Sequence, residues 1–253
     1  MLRVSRDGST AVWTLDRPEA RNALSGELVE KLTRAIDEAA RDATVRSAIL
    51  TGAGGSFASG GDLRELRGRS NATDAALLSD LGEALCRAIA ETPFPVIAVL
   101  TGAAIGGGAE LAVACDLRIA EDRAKICFKQ TRMGVTTAWG TLPRLLSLVG
   151  TSATARLLYT AQELRAVEAR AMGLIDHIAE PGSAMATAIA WCTDIEASAP
   201  GAIAETKRLL RSAEAEAYAR LRPLERDAFI RTWASEAHDE AMEAYFSRRA
   251  PKW

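Results

Sequence analysis

The sequence carries no excess charge of either sign, no paired-cysteine motif, no long apolar run and only two histidines. Each absence excludes a class of function. Lys and Arg total 31 against 33 Asp and Glu, a formal charge of -2. No global field therefore draws the chain to nucleic acid or to an acidic membrane, and binding a polyanion would need a local patch. The four cysteines, Cys86, Cys115, Cys127 and Cys192, form no CxxC pair and sit among apolar neighbours. Small buried hydrophobes in a reducing compartment are expected, with neither a disulfide framework nor a zinc site. No segment is apolar for long enough to span a bilayer, and Met1–Asp7 carries charge where a signal peptide needs an apolar core, so a cytoplasmic, non-membrane protein is expected. His177 and His238 have no metal-ligating partners at suitable spacing, which argues against a metal site and against Ser-His-Asp hydrolysis.

What is present is enough apolar material for a sizeable core. The chain has 253 residues, 48% hydrophobic and 25% charged, which fits one large domain or a domain with an appendage. Thr10–Leu15 reads as a strand stopped by the turn signal Asp16-Arg17-Pro18. Leu28, Leu32, Ala35, Ile36 and Ala39 recur at helical spacing between Leu24 and Asp42, with Ser25 as N-cap. Ser47–Thr51 and Pro95–Leu100 are further strands, each ending in glycine and followed by a loop and a helix. Strands alternating with helices predict an α/β fold with crossover connections and a largely parallel sheet. Beyond about residue 140 the pattern is mostly helical, broken by a short Leu174–Ile178 strand. From Ala184 to Trp253 helices are predicted with interruptions at Pro200 and Pro223. The expected division is a core over residues 1–195 and a helical C-terminal region over 196–253.

Two loops carry the chemistry. Gly106-Gly107-Gly108-Ala109-Glu110 places a carboxylate just past three glycines at the opening of a predicted helix. Free backbone amides at a helix N-terminus are natural donors to a developing negative charge. By itself the run fits equally well a helix packed closely on a strand, with Glu110 an ordinary first-turn acid. Ser56-Phe57-Ala58-Ser59-Gly60-Gly61-Asp62-Leu63 follows the Ile49-Leu50 strand just as the triple-glycine run follows the Val96–Leu100 strand. In parallel α/β structures such loops converge at the C-terminal ends of strands, so two donor loops can face one ligand atom.

With these loops in view the chain resembles the crotonase family, also called the enoyl-CoA hydratase/isomerase superfamily. Arg17–Leu24 is similar to the family's opening RPxxxNAL segment, Phe57–Leu63 to its FxAGxDL loop and Gly106–Leu111 to its GGGxEL turn. Cys115–Ala120, Glu168–Asp176 and Phe246–Trp253 resemble its CDxRIA strand, EAxxxGLVD segment and FxxKRxPxW ending, so the likeness runs nearly end to end. The resemblance implies a crotonase-like spiral of ββα units with a C-terminal helical trimerisation region, assembling as a homotrimer or a hexamer of paired trimers. An acyl-CoA thioester is the implied ligand and no separate cofactor is needed, coenzyme A being part of the substrate. Carried over by position, the N–H groups of Gly61 and Gly107 form an oxyanion hole for the thioester oxygen. Ala58, Ser59, Asp62, Leu63 and Gly106 line the substrate, together with Ala23, and Arg21 and Lys252 are candidates to meet the CoA phosphates.

Glu110 falls on the first of the two glutamates with which enoyl-CoA hydratases hold and split water. The second lies four residues after the phenylalanine of an FGxPE motif, where this chain reads Phe128-Lys129-Gln130-Thr131-Arg132. Arg132 thus occupies the place of the second acid, and a guanidinium can neither take a proton from water nor accept a hydrogen bond. Three functions follow from this substitution. In the first, Glu110 is the single acid/base of an enoyl-CoA hydratase or isomerase. In the second, Arg132 binds a carboxylate on the acyl chain and the enzyme decarboxylates a malonyl-type CoA ester. Met133-Gly134 and Ala138-Trp139-Gly140 resemble the MGxxPxWGG segment of decarboxylating relatives, which nevertheless retain an acid at the Arg132 position. In the third, Arg132 pairs with Glu110 and lowers its pKa, leaving an acyl-CoA binder. A plain surface Arg132 turned away from the pocket is the remaining alternative. Trp139 is placed to line the acyl pocket or to pack in the core. The late aromatics Trp233, Tyr245, Phe246 and Trp253 are expected at a subunit interface.

Overall fold

A computed structural model describes all 253 residues. Its strands are β1 (Leu2–Asp7), β2 (Thr10–Leu15), β3 (Ser47–Gly52), β4 (Ser56–Ala58), β5 (Val96–Leu100), β6 (Ala103–Ile105), β7 (Leu117–Glu121), β8 (Lys125–Cys127), β9 (Leu164–Arg165) and β10 (His177–Ala179). The helices are α1 (Gly26–Arg41), α2 (Leu63–Leu66), α3 (Ala72–Glu91), α4 (Gly107–Ala114), α5 (Thr141–Thr160), α6 (Ala166–Ala171), α7 (Ala184–Glu196), α8 (Pro200–Trp233) and α9 (Glu236–Phe246).

The strands form two sheets, of order β1-β2-β3-β5-β7-β10 and β4-β6-β8-β9. Three successive units, β3-β4, β5-β6 and β7-β8, each send their first strand to the large sheet and their second to the small one, and each is followed by a helix. This is the ββα spiral that the sequence motifs imply. Within the large sheet only the β1-β2 pair is antiparallel; the other pairs are parallel, as crossover connections require. Strand residues alternate between two apolar layers. Trp13, Leu15, Ala48, Leu50, Val96 and Ala98 face the main core, which includes residues of α1, α3 and α4. Ile49, Ile97, Val99 and Ile119 face Ala184, Ala188 and Cys192 of α7. Coverage on both faces explains why Ala48–Leu50 of β3 and all of β5 read as unbroken apolar runs.

Ser25 caps α1 as expected, its hydroxyl accepting from Leu28 N–H at 3.3 Å. The edge strand β1 was not predicted, because an exposed edge needs no apolar alternation and its residues are mostly exposed. The helical C-terminal region also departs from expectation. Pro200 opens α8 at its first turn, where a missing N–H costs nothing, but Pro223 lies inside α8, which continues to Trp233 without a break. The hydrogen bond lost at Pro223 is offset by packing, since α8 lies against α3 and α5. Lys207 pins it further, donating to Asp116 Oδ2 at 2.7 Å, Thr92 Oγ1 at 2.8 Å and the carbonyls of Ile89 and Phe94 at 3.0 and 2.9 Å. A buried ammonium with four acceptors is paired well enough to be tolerated. No helix is long and apolar enough to cross a membrane.

Candidate active site

The small sheet organises the site. β4, β6 and β8 are parallel neighbours, with Ala58 opposite Ala104 and Ile105 opposite Cys127, so their C-terminal ends lie side by side. From β4 the chain enters the Gly60-Gly61 loop, from β6 it enters α4, and from β8 it enters a 3-10 turn over Gln130–Met133 that leads to α5. The two loops singled out in the sequence are therefore brought together, along with a third that was not.

Glycine is demanded where the first two loops meet. Gly106 has φ 54° and ψ -121°, a backbone state closed to residues with a Cβ, and a Cβ on Gly60 (φ +91°) would lie 3.0 Å from Ile105 O and 3.3 Å from Gly107 N. The opposing N–H groups follow from this geometry. Leu24 forms a parallel bridge to Gly61, donating to Gly60 O at 2.8 Å and accepting from Asp62 N–H at 3.2 Å. Such a bridge consumes the groups flanking Gly61 and turns the N–H of Gly61 itself to the opposite side. Gly107 is the first residue of α4, and a helix-opening N–H has no acceptor within its helix. Arg17 braces the first loop, donating to Asp62 Oδ2 at 2.8 Å and to Ala23 O at 2.7 Å. Asn22 is fully buried beneath it and donates to Ala53 O and Ser56 O. Asp62 also caps α2 through Arg64 N–H, so its carboxylate is engaged in holding the loop.

Glu110 lies one turn into α4 and is only 3% exposed. Its Oε1 accepts from Ala138 N–H at 3.0 Å and from the Thr141 hydroxyl at 2.9 Å. Burial pushes its pKa up to about 7, with the Ala138 N–H opposing the rise, a nearby Glu225 charge adding to it, and Thr141 and Gln130 opposing it. Gln130 lies beside the same carboxyl, and its own amide nitrogen and oxygen are enclosed with no regular hydrogen bond. Sequence reasoning missed Ala138, Thr141 and Gln130. The only available signal was that Gln130 falls within the segment at the position of the FGxPE motif and that Ala138 and Thr141 follow it within nine residues of Arg132.

Arg132 does not join this group. Its side chain is exposed and donates to Thr160 O at 3.3 Å, at the end of α5. The expected Arg132–Glu110 pair is absent, and Glu110 is shifted up rather than down, so the pairing behind the binder reading is corrected. The turn over Gln130–Met133 explains it: Gln130 faces inward there, and Arg132, two residues on, faces out.

Trp139 packs between the start of α4 and α3. A Cβ on Gly107 would lie 2.8 Å from its indole ring, and one on Gly82 of α3 would lie 2.0 Å from it. Leu63, Leu66, Val135, Ala138, Phe229 and Trp233 form an apolar cluster against the same indole. Trp233 is thereby corrected from an interface residue to a buried one, its indole N–H donating to Arg69 O at 2.6 Å. Tyr245 and Trp253 are exposed. Arg21 is exposed next to Ser59, whose hydroxyl donates to Ala20 O at 3.2 Å, and Ala23 and Ala58 are buried beside them. Lys252 lies at the other end of the chain beside α9, its backbone N–H donating to Glu240 at 2.6 Å.

The arrangement brings the Gly60-Gly61 loop and the N-terminus of α4 together beside one buried carboxyl whose pKa is raised to about 7, next to an apolar cluster. Comparison with known proteins identifies the family. The sequence model of the enoyl-CoA hydratase/isomerase family matches residues 5–253. The short-chain-enoyl-CoA hydratase of Clostridium acetobutylicum is 34% identical over 248 residues, which is 97% of this chain and 94% of that one. Among solved structures, an enoyl-CoA hydratase from Mycobacterium avium superposes with a TM-score of 0.88 at 31% identity, covering 100% of this chain and 98% of the other. An enoyl-CoA hydratase/isomerase from Xanthobacter autotrophicus Py2 gives 0.91 at 25% identity, over 97% and 93%. On its fold, its glycine loops and its full-length likeness, the chain belongs to the enoyl-CoA hydratase/isomerase, or crotonase, family and to acyl-CoA metabolism.

Proposed function

We propose that the protein transfers protons on an enoyl-CoA thioester, as a hydratase or a double-bond isomerase, with Glu110 as its single acid/base. The observation that carries this reading is the position of Glu110. It sits one turn beyond Gly107, with one oxygen clamped by Ala138 and Thr141 and a pKa of about 7. A carboxyl poised near the working pH can both accept and return a proton.

Either reaction balances with one carboxyl. In isomerisation of a 3-enoyl thioester, Glu110 takes a proton from C2, the electrons move onto the thioester oxygen, and the same proton returns at C4 to give the 2-enoyl product. In hydration of a 2-enoyl thioester, Glu110 takes a proton from water as its oxygen bonds to C3, then delivers that proton to C2. Both pass through an enolate whose oxygen lies between the N–H groups of Gly61 and Gly107, where each donor contributes on the order of 10² to 10³ in rate. No cofactor besides the CoA of the substrate enters this chemistry. Assembly into a trimer or hexamer belongs to the same proposal.

The decarboxylase reading needs a cation facing the acyl carboxylate, and Arg132 is engaged at Thr160 instead. The test is steady-state turnover of crotonyl-CoA and of a 3-enoyl-CoA by wild type and Glu110→Gln. Turnover of either substrate that the substitution abolishes supports the proposal. Turnover that survives it removes Glu110 as the base.

A further inference from the structure

Among the buried acids that this chemistry leaves unused, one lies next to Glu110. Glu225 lies on α8, is 4% exposed, and presents Oε1 to the Thr137 hydroxyl and to Leu142 N–H at 3.0 Å, while its Oε2 is enclosed without a partner. The donors to Glu225 and those to Glu110 are interleaved on one six-residue strip. Thr137 and Leu142, at its ends, bind Glu225; Ala138 and Thr141, just inside them, bind Glu110. Two enclosed carboxyls from different parts of the chain thus hold the same short backbone segment.

We propose that Glu225 is a positioning residue, fixing the ends of the Thr137–Leu142 strip so that its inner donors meet Glu110, and thereby making the aim of the base depend on α8. This rests on the assignment of Glu110 as the acid/base. Glu225 does not itself meet substrate, because one oxygen is engaged by the strip and the other is sealed. Its loss leaves two donors at the strip ends unpaired, and a displacement of about 1 Å at a catalytic group costs on the order of 10²-fold in rate. The two acids also share a field. Burial pushes Glu225 up, against the pull of Thr137, Leu142 and Arg144, and its charge is among the causes that raise Glu110. Arg144 belongs to the same cluster, donating to the carbonyls of Trp139 and Gly140 at 2.7 and 2.8 Å. Tyr218 on α8 and Glu83 and Cys86 on α3 complete the titratable groups packed around the pair, with Gln130 as the neutral neighbour.

The test uses the full chain with Glu225→Ala, Glu225→Gln and Thr137→Val. It reads kcat and KM for crotonyl-CoA and a 3-enoyl-CoA, together with the titration of Glu110 by carbon-13 NMR of carboxyl-labelled glutamate. The Glu110 signal is assigned by its absence in Glu110→Gln. Glu225→Ala is expected to lower kcat roughly 10- to 100-fold with KM nearly unchanged. Glu225→Gln, which keeps the acceptor for Thr137 and Leu142, should restore most of kcat while moving the Glu110 titration to lower pH. A folded Glu225→Ala with wild-type kcat and an unmoved Glu110 titration overturns the proposal. If Glu225→Ala does not fold, an unmoved Glu110 titration in both Glu225→Gln and Thr137→Val overturns it equally. Because the NMR titration does not depend on turnover, failure of Glu110 as the base is seen separately, as activity surviving in Glu110→Gln.

Discussion

The Thr141 hydroxyl donates to Glu110 Oε1 at 2.9 Å, across 31 positions of sequence, from the first residue of α5 to the first turn of α4. This bond favours the charged form of the acid, against the burial that disfavours it. Thr141→Val removes the donor at nearly constant volume, so Glu110 should titrate at a higher pH than in the parent. At pH 7 the base is then less ionised, and turnover should fall by about threefold, since one lost hydrogen bond of about 1 kcal/mol moves a pKa of about 7 up by roughly 0.7. Raising the pH should recover much of the loss, which rate profiles between pH 6 and 9 would reveal. A loss that is the same at every pH would assign Thr141 to substrate contact instead.

The raised pKa of Glu110 has a thermodynamic cost with a definite sign. In the unfolded chain a glutamate releases its proton near 4.5, whereas in the folded protein Glu110 holds it until about 7. Between these values the native state binds more protons, so stability falls as pH rises, and above 7 the full cost of about 3 kcal/mol is present. Glu110→Gln removes that dependence while keeping an acceptor for Ala138 and Thr141. Thermal unfolding should therefore show the variant more stable than wild type at pH 8, with little difference at pH 4.5. Equal stability at both pH values would place Glu110 at an ordinary pKa.

Gly106 separates backbone strain from crowding. A Cβ there would meet no atom within 4 Å, yet its φ of 54° with ψ -121° is closed to alanine. Gly106→Ala should cost about 1–3 kcal/mol in denaturant unfolding. It should also lower kcat on the order of 10²-fold, because relief of the strain turns the Gly107 N–H away from its target. Wild-type kcat in this variant would remove Gly107 from the oxyanion hole.

Arg132→Ala should be nearly silent. The side chain is exposed and its one hydrogen bond is to the Thr160 carbonyl, so unfolding free energy should stay within about 0.5 kcal/mol of wild type. Hydratase or isomerase turnover should stay within about twofold, since a surface substitution clear of the site changes little. Release of CO₂ from a malonyl-type thioester, lost in Arg132→Ala, would instead restore the decarboxylase reading.

The glycine loops were legible in the sequence because their geometry admits almost no other residue. Gly60 and Gly106 mark where two strand ends approach, and Glu110 stands at fixed helical spacing from the second. Thr10–Leu15 and the Ser25 cap were legible for the same local reasons. What supports Glu110 was not. Ala138 contributes a backbone N–H, which any residue supplies, and Thr141 and Gln130 reach the acid only once β4, β6 and β8 are aligned. Pro223 reads as a break because its local cost is visible in sequence, whereas the packing of α8 that offsets it is not. The direction of Arg132 is not legible in the sequence for a related reason: alignment to a motif gives the position along the chain, while the 3-10 turn decides which side chain points inward, and of the alternatives left open the structure shows the outward-facing one.

The assignment of Glu110 as an acid/base with a pKa near neutrality is decided by the pH dependence of kcat/KM for a 3-enoyl-CoA, measured on wild type and Glu110→Gln. Wild-type activity should rise with pH through a midpoint near 7, as the buried carboxyl loses its proton, and Glu110→Gln should lie about 10² to 10⁴ lower at the plateau with that midpoint gone. A midpoint near the ordinary 4.5 of a glutamate, or an unaltered profile in Glu110→Gln, would remove Glu110 from that role.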